Sequence, residues 1–281
     1  MNRNIPFCVI MLVLFVLIGC TGSDNDATLG EVTMATDSLV ETGSFKKSNG
    51  ELCEMKVTLV VSYPQALNDS TKLQQLQQLF IAHLLKSPKG TSSVKEAMKL
   101  YAKSLVSQNT PSIDGETHPS IDTVNMSFDE VDIDRFEPRI TIKAVYNDND
   151  LLTICREESI SKNGQNTSLS HHYVSFDLQQ MKRVTLGDMF RDDSFDKLTA
   201  QLKEKLMDDK GASNEDELND LGYFNLPNLS VTSNFFFTSR GVTWSYDSSV
   251  IAVASVGEPT INIDYDDLEP FYSDNSILKR L

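Results

Sequence analysis

The sequence predicts an α+β fold, with antiparallel sheets covered by amphipathic helices in two packed subdomains. Three observations predict it. Segments of alternating or β-branched apolar residues fall in groups, at 55–63, 121–161, 171–178 and 229–265. Helix-period stretches stand between them at 70–85, 94–105 and 195–208. The two kinds of segment cluster and do not alternate strictly, which argues against a parallel βαβ sheet.

The chain opens with Arg3 as a positive n-region, followed by Phe7 to Ile18 without a polar residue. This is the pattern of a secretory h-region, and it is too short to span a bilayer, which takes about 20 apolar residues. Residues 1–19 therefore read as a signal peptide. Leu17-Ile18-Gly19-Cys20 resembles the lipobox of bacterial lipoproteins. That resemblance implies diacylglyceryl transfer to the sulfur of Cys20, cleavage before it and N-acylation. Two or three acyl chains, at roughly 0.8 kcal/mol per buried methylene, would hold the protein on a membrane of the cell envelope. The outer membrane is the expected site, with the periplasmic or surface face left open.

From Cys20 on, the chain has a formal charge of −16, against −15 with Arg3 included. Nucleic acid binding would need a basic patch to replace counterions, so nucleic acid is excluded as a partner. The acidity suits a basic protein, and it also serves solubility alone. Cys8 lies in the leader and Cys20 is the lipid site, which leaves Cys53 and Cys155. These two form a candidate disulfide or remain free thiols; a bridge closing about 100 residues would stabilise the fold by roughly 2–4 kcal/mol.

Residues 20–49 are rich in Ser, Thr, Asp, Gly and Asn and read as a flexible tether. The first subdomain is expected over 50–160. Its first strand runs from Met55 to Tyr63 and stops at Pro64. Asn68-Asp69-Ser70 caps a helix whose Leu73, Leu76, Phe80 and Leu84 share a face. Pro88-Lys89-Gly90 breaks it, and a second helix follows Ser92-Ser93. Strands are then expected around Val124 to Phe128, Ile140 to Tyr146 and Leu152 to Ser161, the last two forming a hairpin across Asn147-Asp148-Asn149-Asp150. That acidic turn lacks the closing glutamate of an EF-type loop and reads as a turn.

The second subdomain is expected over 161–281. Asn163-Gly164 turns into a strand at His171 to Leu178, a helix covers about 195–208, and strands follow at Leu229 to Thr238, Gly241 to Tyr246 and Pro259 to Tyr265. Trp244 and Phe235-Phe236-Phe237 read as core.

No zinc signature, nucleophile elbow or phosphate-cradling glycine loop is present. Adjacent His171 and His172 on a strand would point to opposite faces and make a poor metal clamp. The expectation is a chain without a catalytic site, metal or cofactor.

Phe176-Asp177-Leu178 followed by Val184-Thr185-Leu186-Gly187-Asp188-Met189-Phe190 resembles the "NFDLKTGKxLTLDDLF" segment of a domain-of-unknown-function family. That family includes the extracellular domain of RsiV, a lysozyme-sensing anti-sigma factor. Residues 236–268, with Phe236-Phe237, Trp244-Ser245-Tyr246, Ile251-Ala252 and Ile261-Asn262-Ile263, are similar to its "GLxFxYxPYEIAPYAxGxxxxxIPYSEL". The resemblance covers about 140–281, with 50–140 resembling the region that usually precedes it. It implies a non-catalytic domain that binds a protein, a lysozyme-like hydrolase in particular. A peptidoglycan- or glycan-binding module and an envelope hydrolase are the alternatives. The family's Gly-Gly-Ala-His-Gly is replaced by Asn163-Gly164-Gln165-Asn166-Thr167, the candidate partner-binding loop, and Asp247-Ser248-Ser249-Val250 replaces its "NPYE".

Overall fold

The computed structural model describes residues 29–46, 52–87, 90–108, 133–248 and 250–281. The leader, Cys20 and the strand expected around Val124 to Phe128 lie outside them. In chain order the elements are β1 (Thr33–Lys46), β2 (Leu52–Ala66), α1 (Ser70–Leu84), α2 (Val94–Gln108), β3 (Asp134–Asp148), β4 (Leu151–Lys162), β5 (Gln165–Asp177) and β6 (Lys182–Arg183). Then come α3 (Phe195–Lys210), α4 (Glu215–Asp220), β7 (Phe235–Phe237), β8 (Gly241–Ser245), β9 (Thr260–Asp264) and α5 (Tyr265–Leu268). The fold is α+β, as expected.

Strands β1 to β6 form one sheet in sequence order, and β7, β8 and β9 form a second. Every neighbouring pair is antiparallel except β2 and β3. That parallel pair departs from the expected antiparallel sheet. Its physical reason is the connection: α1 and α2 carry the chain back across one face, so β3 starts at the same end as β2.

Alternation along the strands divides the large sheet into two faces. Val57, Leu59, Ile142, Leu152, Ile154 and Phe176 face α1 and α2 in one core. Leu76, Phe80, Ile81 and Leu84 of α1 repeat at helical spacing and close it. Asp69 caps α1, accepting from the backbone N–H of Thr71 at 2.8 Å and Lys72 at 3.0 Å. Arg156 is buried in this layer, donating to Leu84 O at 2.7 Å and to the Tyr101 hydroxyl. On the opposite face Leu151 joins a second core, built from Leu198, Leu202 and Leu206 of α3 with Phe237, Trp244 and Ile261.

Both expected hairpins form. Asn149 and Asp150 have φ of 51° and 55°, Asn163 and Gly164 of 51° and 80°. Positive φ at both central residues is what a two-residue type I′ turn requires.

Three segment assignments are corrected. Within the segment read as a tether over 20–49, Thr33–Lys46 is strand β1, paired along its length with β2. Its Leu39 and Phe45 pack on the core while the alternate residues from Thr36 to Ser44 are exposed, so its composition is that of a one-sided edge strand. The subdomain boundary placed at 160/161 falls inside the β4–β5 hairpin; the large sheet continues to Arg183, and the second core draws mainly on residues from 184 onward. The strand expected at Leu229 to Thr238 shrinks to Phe235–Phe237.

Cys53 and Cys155 are buried free thiols, which overturns the candidate bridge. β3 lies between their strands, and Cys53 stands level with Asp134 while Cys155 stands level with Lys143. Nine residues along a strand is about 30 Å, whereas a disulfide needs Cα atoms within about 7 Å.

Candidate functional site

The most chemically diverse surface lies where the C-terminal unit meets the outer edge of β5. Among the described residues that edge has no neighbouring strand over most of its length, since β6 pairs only with Phe176 and Asp177. Asn234 occupies the position a strand would take. Its Oδ1 accepts from the Tyr173 N–H at 2.8 Å and its Nδ2 donates to the His171 carbonyl at 2.9 Å. One side-chain amide thus satisfies both an edge donor and an edge acceptor.

Next to it, Glu258 reaches back to β5 from the segment before β9. Its Oε1 accepts from the His171 N–H at 3.1 Å, and its Oε2 lies 2.7 Å from His171 Nδ1. The other ring nitrogen of His171 is 3.5 Å from Glu157 Oε2 on β4. Lys143 Nζ on β3 completes the row, 3.8 Å from the same oxygen of Glu157. Tyr173 stacks on Phe236 with ring centroids 4.4 Å apart. Burial, with the neighbouring Cys155, pushes its hydroxyl up to about 12, and burial likewise raises the Cys155 thiol.

The two carboxylates hold opposite nitrogens of one imidazole, so they do not converge on a point where a metal ion could sit. Among the described residues no group of three or more His, Cys, Asp and Glu is arranged to hold a metal. His83 lies on α1 against Phe176, away from this cluster, and burial followed by the charge of Arg183 lowers its pKa.

Beside this contact is a cleft of about 380 Å³ lined by His172, Ser230, Thr232, Asn234, Tyr246 and Asp247 among others. Its rim continues through Val250 into an apolar patch. Leu221, Val250, Val253 and Val256 are 51%, 46%, 43% and 36% exposed. They are held together by the backbone: Val253 N–H donates to Gly222 O at 2.8 Å, and Phe224 N–H to Ile251 O at 2.9 Å. Gly222 has φ of 90°, and a Cβ there would stand 2.9 Å from Val253 Cγ2. The patch follows directly on α4, whose Glu215, Asp216, Glu217 and Asp220 make its border strongly acidic.

The two loops singled out by sequence are not brought together. Asp247 and Val250 line the cleft, whereas Asn163-Gly164-Gln165-Asn166-Thr167 sits at the far end of the β4–β5 hairpin. From Thr167 to His172 is about 17 Å of strand. The hairpin tip is itself fastened down: Asn163 Oδ1 accepts from Arg135 N–H at 2.8 Å and its Nδ2 donates to Asp134 Oδ1 at 3.0 Å. Asn234 and Glu258 went unread in the sequence, because an Asn before an aromatic run and a Glu before a Pro carry no signal without the strand they meet.

Residues 187–266 match the family described as Protein of unknown function (DUF3298). No curated protein matches the chain. A crystal structure of a DUF3298 family member from Bacteroides fragilis is similar in fold, with a TM-score of 0.66 at 20% identity, covering 89% of this chain and 98% of that one. A DUF3298 family protein from Pseudomonas aeruginosa aligns with a TM-score of 0.52 at 14% identity over 87% of this chain and 97% of its own. The chain thus carries a DUF3298 match in its C-terminal unit and shares its fold with solved structures of that family.

Proposed function

We propose that this chain is a non-catalytic lipoprotein of the cell envelope, anchored through Cys20, whose C-terminal unit binds a basic protein. The observation that carries the reading is the exposed Leu221, Val250, Val253 and Val256 patch beside α4. From Val184 to Leu281 there are 18 Asp and Glu against 8 Lys and Arg. Apolar contact at a centre with opposite charge around it is the anatomy of a protein interface that forms fast and specifically. A lysozyme-like hydrolase is the candidate partner, suggested by the likeness to the RsiV family. His171 favours a structural reading of the cluster among the described residues that could pass for acid–base machinery, since one ring nitrogen meets Glu157 of the neighbouring strand β4 and the other meets Glu258, which joins the two units.

The test is retention of the mature protein on immobilised lysozyme at low and high salt, with Val253→Asp as the variant. Retention at low salt, weakened by salt and at least about tenfold by the substitution, is expected, since burying an unpaired carboxylate costs more than 1.4 kcal/mol. No retention at low salt sinks this partner.

The polar cleft favours a second reading, a glycan-binding module, because Ser230, Thr232, Asn234, Asp247 and His172 offer donors and acceptors beside Tyr246. Sedimentation with purified sacculi but not with basic proteins would select it.

A further inference from the structure

We infer that the layer formed by α1 and α2 is a membrane-apposed face that takes anionic phospholipid headgroups, leaving the acidic C-terminal unit turned away from the lipid. This rests on the reading of Cys20 as the acylated residue. The first observation is a charge division across the large sheet. On and between α1 and α2 the described residues hold Lys72, Lys86, Lys95, Lys99 and Lys103 against a single acid, Glu96, although the whole chain carries −15; of the five, Lys95 is paired with Asp37 of the adjoining β1, its Nζ 3.3 Å from Oδ2. Lys95, Lys99 and Lys103 are exposed and recur every fourth residue, so they form one stripe along α2, with Leu100 41% exposed beside it. The surplus of ten acidic groups in the C-terminal unit lies across the sheet from them, in the layer built on the opposite face. The molecule is therefore electrically two-sided. An anionic surface attracts the helical side and repels the other.

The second observation is where the chain enters the fold. Leu29 donates its N–H to Asp150 Oδ1 at 2.8 Å and accepts at its carbonyl from Asn68 Nδ2 at 3.0 Å. Val32 is held at both backbone groups by the Asn147 side chain, at 3.0 and 2.8 Å. Asp150 is 5% exposed, and its other oxygen accepts from Gln179 Nε2 at 2.9 Å. This clasp puts the entry point beside Asn68, immediately before α1, at an edge of the lysine-bearing layer. Nine residue steps from Cys20 to Leu29 reach at most about 32 Å. A basic face and a short leash at the same side of the molecule would act together, as one lipid attachment gains from a polybasic patch.

The experiment uses the acylated mature protein on vesicles, with Ser107→Cys on the α2 stripe or Asn219→Cys on α4 carrying a fluorescent donor and an acceptor on the lipid headgroups. Both positions are exposed, and Cys53 and Cys155 are buried. Flotation with phosphatidylcholine vesicles reports the anchor alone. On phosphatidylglycerol vesicles, energy transfer from position 107 is expected to exceed that from position 219 several-fold. The difference should collapse at high salt and in the Lys95→Gln, Lys99→Gln, Lys103→Gln variant. Flotation with equal transfer from both positions, or more from position 219, overturns the inference and leaves the anchor standing. Failure to float overturns the anchor and the inference with it.

Discussion

Arg280 donates from Nη2 to Oδ2 of Asp177 at 2.9 Å, and Asp177 is fully buried at the end of β5. The same carboxylate accepts from the N–H groups of Gln179 and Gln180 at 2.9 and 3.1 Å and so shapes the turn into β6. One pair thus ties the last residues of the C-terminal unit to the large sheet. Removing one partner of a buried pair leaves a charge without its counterion, which costs about 3 kcal/mol or more. Arg280→Ala is expected to lose about that much in urea unfolding, and Arg280→Lys to recover part of it. A loss below about 0.5 kcal/mol would show that the two turn amides suffice.

Gly241 opens β8 where β9 passes close by. A Cβ at this position would stand 2.0 Å from the Ile263 carbonyl oxygen, and backbone cannot yield as a side chain can. Gly241→Ala is expected to destabilise by at least about 2 kcal/mol through forced separation of β8 from β9, read from thermal unfolding. An unchanged melting temperature would contradict this packing.

Burial raises four tyrosines of the C-terminal half, Tyr173 and Tyr272 to about 12 and Tyr246 and Tyr265 further. A raised folded-state value means the fold favours the neutral phenol. The stabilisation is therefore complete below the unfolded value of 10.0 and is lost as pH climbs from there through 12. Phenolate absorbance from these groups should appear together with loss of circular dichroism above pH about 10. Full titration near pH 10 with the fold intact would refute it.

Both thiols should stay silent in the folded protein. Cys53 is 0% and Cys155 2% exposed, and burial holds the Cys155 thiol in its protonated, unreactive form. Alkylation of the mature protein at mildly alkaline pH is expected to label neither by mass until denaturant is added, with no intramolecular bridge under oxidising conditions. Recovery of a Cys53–Cys155 crosslink from native protein would overturn the strand order.

Much of the fold was legible because local rules governed it. Asn149-Asp150 and Asn163-Gly164 announced their hairpins, since few residue types accept positive φ twice in succession. Asp69 and the spacing of Leu76, Phe80 and Leu84 marked α1. The site was less legible. Asn234 and Glu258 matter through His171 and Tyr173, more than 60 residues earlier in the chain.

By itself the sequence determined the three long helices α1, α2 and α3, where hairpins turn, that Trp244 and its neighbours are core, and how charge is shared along the chain, whereas the short α4 and α5 came only with the structure. Only the tertiary structure decided that Thr33–Lys46 is a strand, that β2 and β3 run parallel, that the two cysteines stand a sheet's length apart, and that the lysines of α2 and the carboxylates of α4 face opposite ways. The physical reason is the range of the forces involved. Turns and caps are fixed by bonds to atoms a few residues away, whereas an edge strand is fixed by pairing with a partner, and that pairing exists only once the chain has folded.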